Sequence, residues 1–420
     1  MAQLKGPCPS DVTVRFVRKP HPFDESVLDA DALKVVRRLK RFGYETYLVG
    51  GCVRDLLLGA QPKDFDVVTS AKPAEIKALF RNCRLIGRRF RLAHLHFREN
   101  KIIEVATFRR EPTEADDLSS RHAAQNLFGS AADDAGRRDF TVNALMYDVA
   151  SGDILDWTGG LDDIDRRLIR AIGSPTRRLP EDPVRIIRAV KFASKLGLNI
   201  DADLYAEMIS DSALITECSQ ARLLEELFKI LRSGHAADCL KQLQDMGALA
   251  HILPGFCGAW AQLEAPSWGW LEKVDEMVQD GRQVTDAFLL AVFLYPVMEE
   301  MVWDTNDVAR AVAAALKPVI QPLQFTKKHL ATVRNVYVSQ RRMIKGPKNK
   351  RTRRLAEREF AREAADLLEV TAQAPPAVLG QWRKLIERQP RQPQAAPARP
   401  RARRRRPPVR RTRTPKIESE

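Results

Sequence analysis

"YLVGGCVRDLLLGAQPKDFDVVTS", Tyr47 to Ser70, packs an apolar run, a double glycine, an arginine and two aspartates one residue apart into a single stretch. "YETYLVGG" reads as a strand ending in a glycine turn, "VRDLLLGA" as a short helix and "DFDVVTS" as a second strand. Upstream, "ESVLDADALKVVRRLKRFG" has the spacing of an amphipathic helix that stops at Gly43. Downstream, "KPAEIKALFRN" continues as a helix, and "CRLIGRRFRLAHLHFR" and "KIIEVATFRR" as further strands. This alternation, sustained to about residue 150, predicts one α/β unit on a small mixed sheet.

Beyond it the pattern changes. From "EDPVRIIRAVKFASKLGLNI" onward nearly every segment has helical period, including "ARLLEELFKILRSG" and "VTDAFLLAVFLYPVMEEMV", so the expected class is α+β with an all-helical second half. The expected division is a loosely ordered leader at 1–25, a catalytic head at 26–160 with a mobile loop at 110–136, a helical neck at 161–250, a helical body at 251–385 and a disordered basic tail at 386–420.

Composition narrows the function. The chain has 420 residues, 69 Lys+Arg and 54 Asp+Glu, a formal charge of +15 that suits a polyanionic partner. Residues 388–416 hold twelve Lys/Arg, seven Pro and no acid, a composition that cannot build a core. A second acid-free run, "RRMIKGPKNKRTRR" at 341–354, holds eight Lys/Arg. Six scattered cysteines without a CxxC pair point to a reducing cytoplasm, and no run approaches the ~20 apolar residues of a membrane span. The seven histidines lack ligand spacing, and Trp268 and Trp270 read as helix packing.

The chemistry concentrates in a few residues. Asp64 and Asp66, at i and i+2 of a predicted strand, point to one face and Phe65 to the other. Paired carboxylates suit Mg²⁺ (or Mn²⁺) shared with substrate phosphates, although a DxD tripeptide alone is far more readily a solvated turn and only its context favours the metal. Gly50 and Gly51 leave backbone amides open to a phosphate chain, and Arg54 can add forked hydrogen bonds; by themselves the glycines read equally as a tight strand-to-helix turn.

Four segments in this order, "LVGGCVRDLLLG", "PKDFDVVTS", "RRDFTVNAL" and "EDPVRIIRAVKFASKLG", resemble the motifs of the class II tRNA nucleotidyltransferase and bacterial poly(A) polymerase family. The resemblance covers roughly residues 30–250. It implies Asp64 and Asp66 as metal ligands, with Asp139 as a third family carboxylate and Glu104 as its rival for the metal site. It also implies Arg137 and Arg138 at the triphosphate or primer backbone, and Asp182, Arg185 and Arg188 at the incoming base. Lys191 departs from the arginine common there. The implied reaction is attack of an RNA 3′-hydroxyl on the α-phosphate of ATP, with RNA 3′ ends of mRNA, small RNAs and tRNA precursors as substrates. RNA-decay proteins are the expected partners, and a monomer without a membrane role the expected state. "FRNCRLIGRRFRLAHLHF" and the basic tail are similar to the poly(A) polymerase branch. CCA addition to tRNA shares every residue named, and a non-catalytic RNA-binding protein is the reading from another class.

Overall fold

The computed structural model describes residues 16–87, 92–112, 127–254, 264–303, 305, 307–320, 323 and 325–388. Helix α1, Ala30–Arg41, starts where the Asp29 carboxylate accepts from the amides of Asp31 and Ala32, and it buries Ala32, Leu33, Val35, Val36 and Leu39. That apolar face lies against β2, Thr46–Val49, and β3, Asp66–Thr69. Between those strands comes α2, Gly51–Leu57, as the opening stretch predicts.

The sheet has eight strands rather than a few. Its order is β1-β8-β7-β2-β3-β6-β5-β4, where β1 is Val17–Pro20, β4 Cys83–Ile86, β5 Leu92–His96, β6 Ile102–Thr107, β7 Met146–Asp148 and β8 Asp153–Asp156. Only β3 and β6 run parallel, and helix α3, Pro73–Leu79, with the β4–β5 hairpin supplies the crossover that parallel strands require. One sequence reading shifts here: the long segment from Cys83 is two antiparallel strands. The leader also reads as able to lay a short strand beside this unit, and β1 closes one edge by pairing with β8.

Strand alternation divides the sheet into two faces. Leu48, Val67, Leu95, Ile103 and Val105 join the main core, whereas Val49, Val68, Met146 and Leu155 face a smaller cluster under α4, Ala131–Gly136. Helix α4 and the bridge between Arg109 and Phe128 fall within the 110–136 segment expected as a loop, because Ser130 and Asp133 form a capping box that starts a helix there. Residues 113–126 of that segment, and the basic tail from 389, lie outside the described residues.

Below the head, α5 (Gly160–Asp165), α6 (Pro175–Glu181) and α7 (Val184–Leu196) begin the helical part. Helix α7 buries Ile186, Ile187, Ala189, Val190 and Ala193 and leaves Arg185, Arg188 and Phe192 on its other side, as its spacing predicts. Asp182 does not cap it: Pro183 takes the N-cap position, and Asp182 closes α6. Farther on, the helix Asp286–Trp303 is apolar on every side and buried from Phe288 to Tyr295, the centre around which the body packs. Trp270 meets Tyr295 edge-on in that core, a packing role like the one expected for it. Among the described residues no helix is long and apolar enough to cross a membrane.

Candidate active site

The register Val49↔Asp66 sets the end of β2 beside the first residue of β3, so the Gly50–Gly51 turn opens next to the Asp66 carboxylate. Gly50 has φ 76° and ψ −127°, a region that costs side-chain-bearing residues about 1–3 kcal/mol. A Cβ there would also stand 3.3 Å from the Arg138 guanidinium, so glycine lets that cation close over the turn. Asp64 lies just before β3 rather than on it, yet the alternation holds: Asp64 and Asp66 are exposed and Phe65 is buried.

At this rim the Asp66 carboxyl, open to solvent yet flanked by protein, is pushed up to about 6, by desolvation first and then by the negative charge of Glu104. Arg138 opposes the shift and Asp64 adds to it. Glu104 is close because β6 runs in register with β3, Val105 opposite Val67, which turns both carboxylates to the same face. His94 on β5 is the cross-strand partner of Glu104, with Nε2 3.3 Å from its carboxylate.

Asp139 is differently engaged. Its carboxylate pairs with Arg188 at 2.6 Å and accepts from the Asn143 side-chain amide and the Phe140 N–H, so the arginine it binds is on α7 rather than Arg137 or Arg138. Among the described residues no three His, Cys, Asp or Glu side chains converge on a point where they would hold a metal ion. The Asp64, Asp66 and Glu104 carboxylates still suit a divalent cation chemically, because Arg138 only partly offsets their mutual repulsion at Asp66 and hard cations take their remaining ligands from phosphates and water.

Beside the carboxylates lies a second arrangement. Asp134 of α4 is fully buried and accepts from both Arg137 (2.9 and 3.1 Å) and Arg138 (2.9 and 3.2 Å), and from the Arg109 amide at 3.2 Å. Arg178 of α6, 2% exposed, donates to the carbonyls of Arg137 (2.9 Å) and Arg138 (2.7 Å) and pairs with Glu181 and Glu111. These contacts wall a cleft of about 690 Å³ between head and neck, lined among others by Arg109, Arg137, Arg177, Arg185, Glu111 and Glu181. Arg185 donates to the Arg178 carbonyl, and burial, reinforced by the Arg178 charge, lowers its pKa.

The other expected residues are placed as follows. Arg54 is 4% exposed and bound by Asp55 and Asn143, its guanidinium 5.0 Å from the Phe192 ring centroid and 3.6 Å from where a Cβ on Gly51 would stand, so it braces head against neck beside the glycine turn. Arg188 also lies over Phe192, and Asp182 pairs with Arg222 at 2.8 Å. Lys191 pairs with buried Glu226 at 2.7 Å. Asp134, Arg178 and Asn143 escaped the sequence reading. Asp134 was findable, since Arg137 and Arg138 follow it at i+3 and i+4, whereas the link from Arg54 to Asn143 spans 89 positions and left no local signal.

Comparison with known proteins agrees along the chain. Residues 46–170 match the family model "Poly A polymerase head domain", residues 197–259 "Probable RNA and SrmB- binding site of polymerase A", and residues 302–416 "Polymerase A arginine-rich C-terminus". The "Poly(A) polymerase I" of Salmonella typhimurium is 39% identical over 378 residues, covering 85% of this chain and 81% of its own. A "CCA-adding enzyme" of Geobacillus kaustophilus is 34% identical and covers 71% and 73%. Among solved structures, the crystal structure of the Bacillus stearothermophilus CCA-adding enzyme in complex with CTP aligns with a TM-score of 0.65 at 27% identity, covering 85% of this chain and 81% of that one.

Proposed function

Because the chain belongs to the poly(A) polymerase I family of class II nucleotidyltransferases, enzymes that add nucleotides to RNA 3′ ends, we propose that it extends RNA with adenylate from ATP and so promotes RNA turnover. The RNA 3′-hydroxyl oxygen forms the new bond to the α-phosphorus as the bond to pyrophosphate breaks. Asp64 and Asp66, with Glu104 as the third carboxylate, would hold Mg²⁺ or Mn²⁺. Bound there, two such ions would activate the attacking oxygen and stabilise the leaving pyrophosphate.

The chain's own groups position the substrates. The open backbone at Gly50 and Gly51, with Arg138 over it, receives the triphosphate, and Arg137, held by Asp134, faces the same cleft. Arg185 and Asp182 address the incoming base. Arg54 and the Asp139–Arg188 pair act through position, keeping α7 against the head.

Polyadenylation is favoured over CCA addition by one observation: likeness to poly(A) polymerase I covers 85% of the chain, and the arginine-rich C-terminal model reaches residue 416. CCA addition stays the second reading because a CCA-adding enzyme in complex with CTP aligns over 85% of this chain. Purified protein with Mg²⁺, generic RNA and ATP should yield long A tails. Addition of a single A, with CTP and tRNA required, would overturn the assignment.

A further inference from the structure

The second basic run of the sequence, 341–354, plays no part in the site described above, and it is folded. The helix Lys327–Ile344 ends in a turn at Gly346, φ 77°, and a short helix, Lys350–Arg353, follows under an Asn349 capping box. The turn is fixed from beneath. Trp382, fully buried, donates its indole N–H to the Met343 carbonyl at 2.8 Å, Val378 and Gln381 approach Gly346, and Arg353 Nε donates to the Pro347 carbonyl at 3.1 Å.

On this rigid turn Arg342, Lys345, Lys348, Lys350, Arg351, Arg353 and Arg354 are all exposed, and none has an acidic partner among the described residues. No acid interrupts them; Glu357 and Glu359 stand just beyond, also exposed. The rest of the body behaves differently. Arg282 pairs with Asp366 and Glu369, Arg383 with Glu369, Arg232 with Asp286 and Lys241 with Glu272. Crowding seven unpaired cations onto a fixed turn costs the fold electrostatic repulsion, and a polyanion removes it.

We propose that the turn 342–354 is a docking track for the phosphate backbone of single-stranded RNA, separate from the catalytic site and from the Arg/Pro tail. RNA is the polyanion chosen because the inference rests on the nucleotidyl-transfer reading, in which an RNA is already held at its 3′ end. The helix beneath the turn, Pro376–Glu387, is followed in sequence by the basic residues 388–416, so the charge of the turn is one of two acid-free basic runs in this part of the chain. The turn meets phosphates, so it adds affinity without choosing sequence.

The test uses the full chain carrying Lys345→Gln, Lys348→Gln, Lys350→Gln and Arg351→Gln together. Binding of a labelled long oligoadenylate, measured without nucleotide across a salt series, should weaken about tenfold or more at physiological salt. The slope of log K against log[salt] should fall by about 2–3, at about 0.7 for each phosphate left unneutralised. AMP incorporation on a short primer should stay at the wild-type rate. A charge-keeping variant, Lys345→Arg, Lys348→Arg, Lys350→Arg and Arg351→Lys, should bind as wild type; if it also loses RNA, the shape of the turn rather than its charge matters and the proposal fails. Wild-type affinity and slope in the glutamine variant overturn it, as does weakened binding to phosphatidylserine vesicles with RNA binding intact. A wild-type chain that binds RNA but never incorporates AMP breaks the proposed function and leaves this inference standing.

Discussion

Two charged regions meet at the junction of head and neck, and they are built on opposite principles. In the arginine cleft the most buried charges are engaged by partners, although cations outnumber acids there: Asp134 holds Arg137 and Arg138, and Arg178 is shared among two acids and two carbonyls. At the carboxylate rim Asp66 sits in the field of Glu104 and Asp64, with Arg138 as the one opposing charge among the influences on it. A matched network stabilises the fold, because buried charges persist only when paired and hydrogen-bonded. An unmatched cluster is tolerated where a ligand completes it. On the proposed function, the cleft would be scaffold for the substrate and the rim the place where a bound cation completes what the chain does not supply.

The largest effect expected from this contrast is on catalysis. Asp66→Asn should lower nucleotide incorporation about 10³-fold or more, the equivalent of the several kcal/mol that metal-assisted charge stabilisation contributes, while the melting temperature holds or rises. Full incorporation by the variant would show that the rim is not the catalytic centre. Asp134→Ala should do the reverse. Removing the shared partner of two guanidiniums from a buried position should cost about 3–5 kcal/mol of stability, readable by urea unfolding. If stability is unchanged, the matched network is not what holds the cleft.

Much of this was legible in the sequence, and what was missed has a common cause. The DxD, the glycine turn and the apolar face of α7 are local patterns, set by strand and helix periodicity, and each lies where its spacing implies. The side-chain partners were less legible. Asp139 answers to Arg188, Asp182 to Arg222 and Arg54 to Asn143, pairings made only when distant segments fold together. The neighbour of Asp66 has the same origin: Glu104 comes beside it through the register of a parallel strand pair, which no local pattern encodes.

Gly50 joins the two regions, since its backbone opens beside Asp66 and lies under Arg138. Gly50→Ala should cost about 1–3 kcal/mol from the backbone conformation alone and push Arg138 off the turn. In a kinetic assay KM for ATP should rise more than kcat falls, because the displaced arginine binds substrate rather than reacting with it. A variant that loses kcat with an unchanged KM would place the turn in the chemical step.

The smallest effect is the most direct reading of the unmatched rim. The folded chain holds the Asp66 proton with a pKa of about 6, against about 3.9 for an unfolded aspartate, so the folded state binds that proton more tightly. Its contribution to stability is full below about pH 4 and is lost as the pH rises through about 6. Thermal unfolding in chelator should therefore show wild type losing stability relative to Asp66→Asn across that interval. The change should stay below about 1 kcal/mol, since the carboxylate is exposed and water screens it. Added Mg²⁺ prefers the ionised carboxylates, so at neutral pH it should raise the wild-type melting temperature and leave the variant nearly unmoved. A difference that is flat from pH 4 to 7 and indifferent to Mg²⁺ would mean that the like charges at the rim are already compensated within the chain, and the contrast between the two regions would disappear.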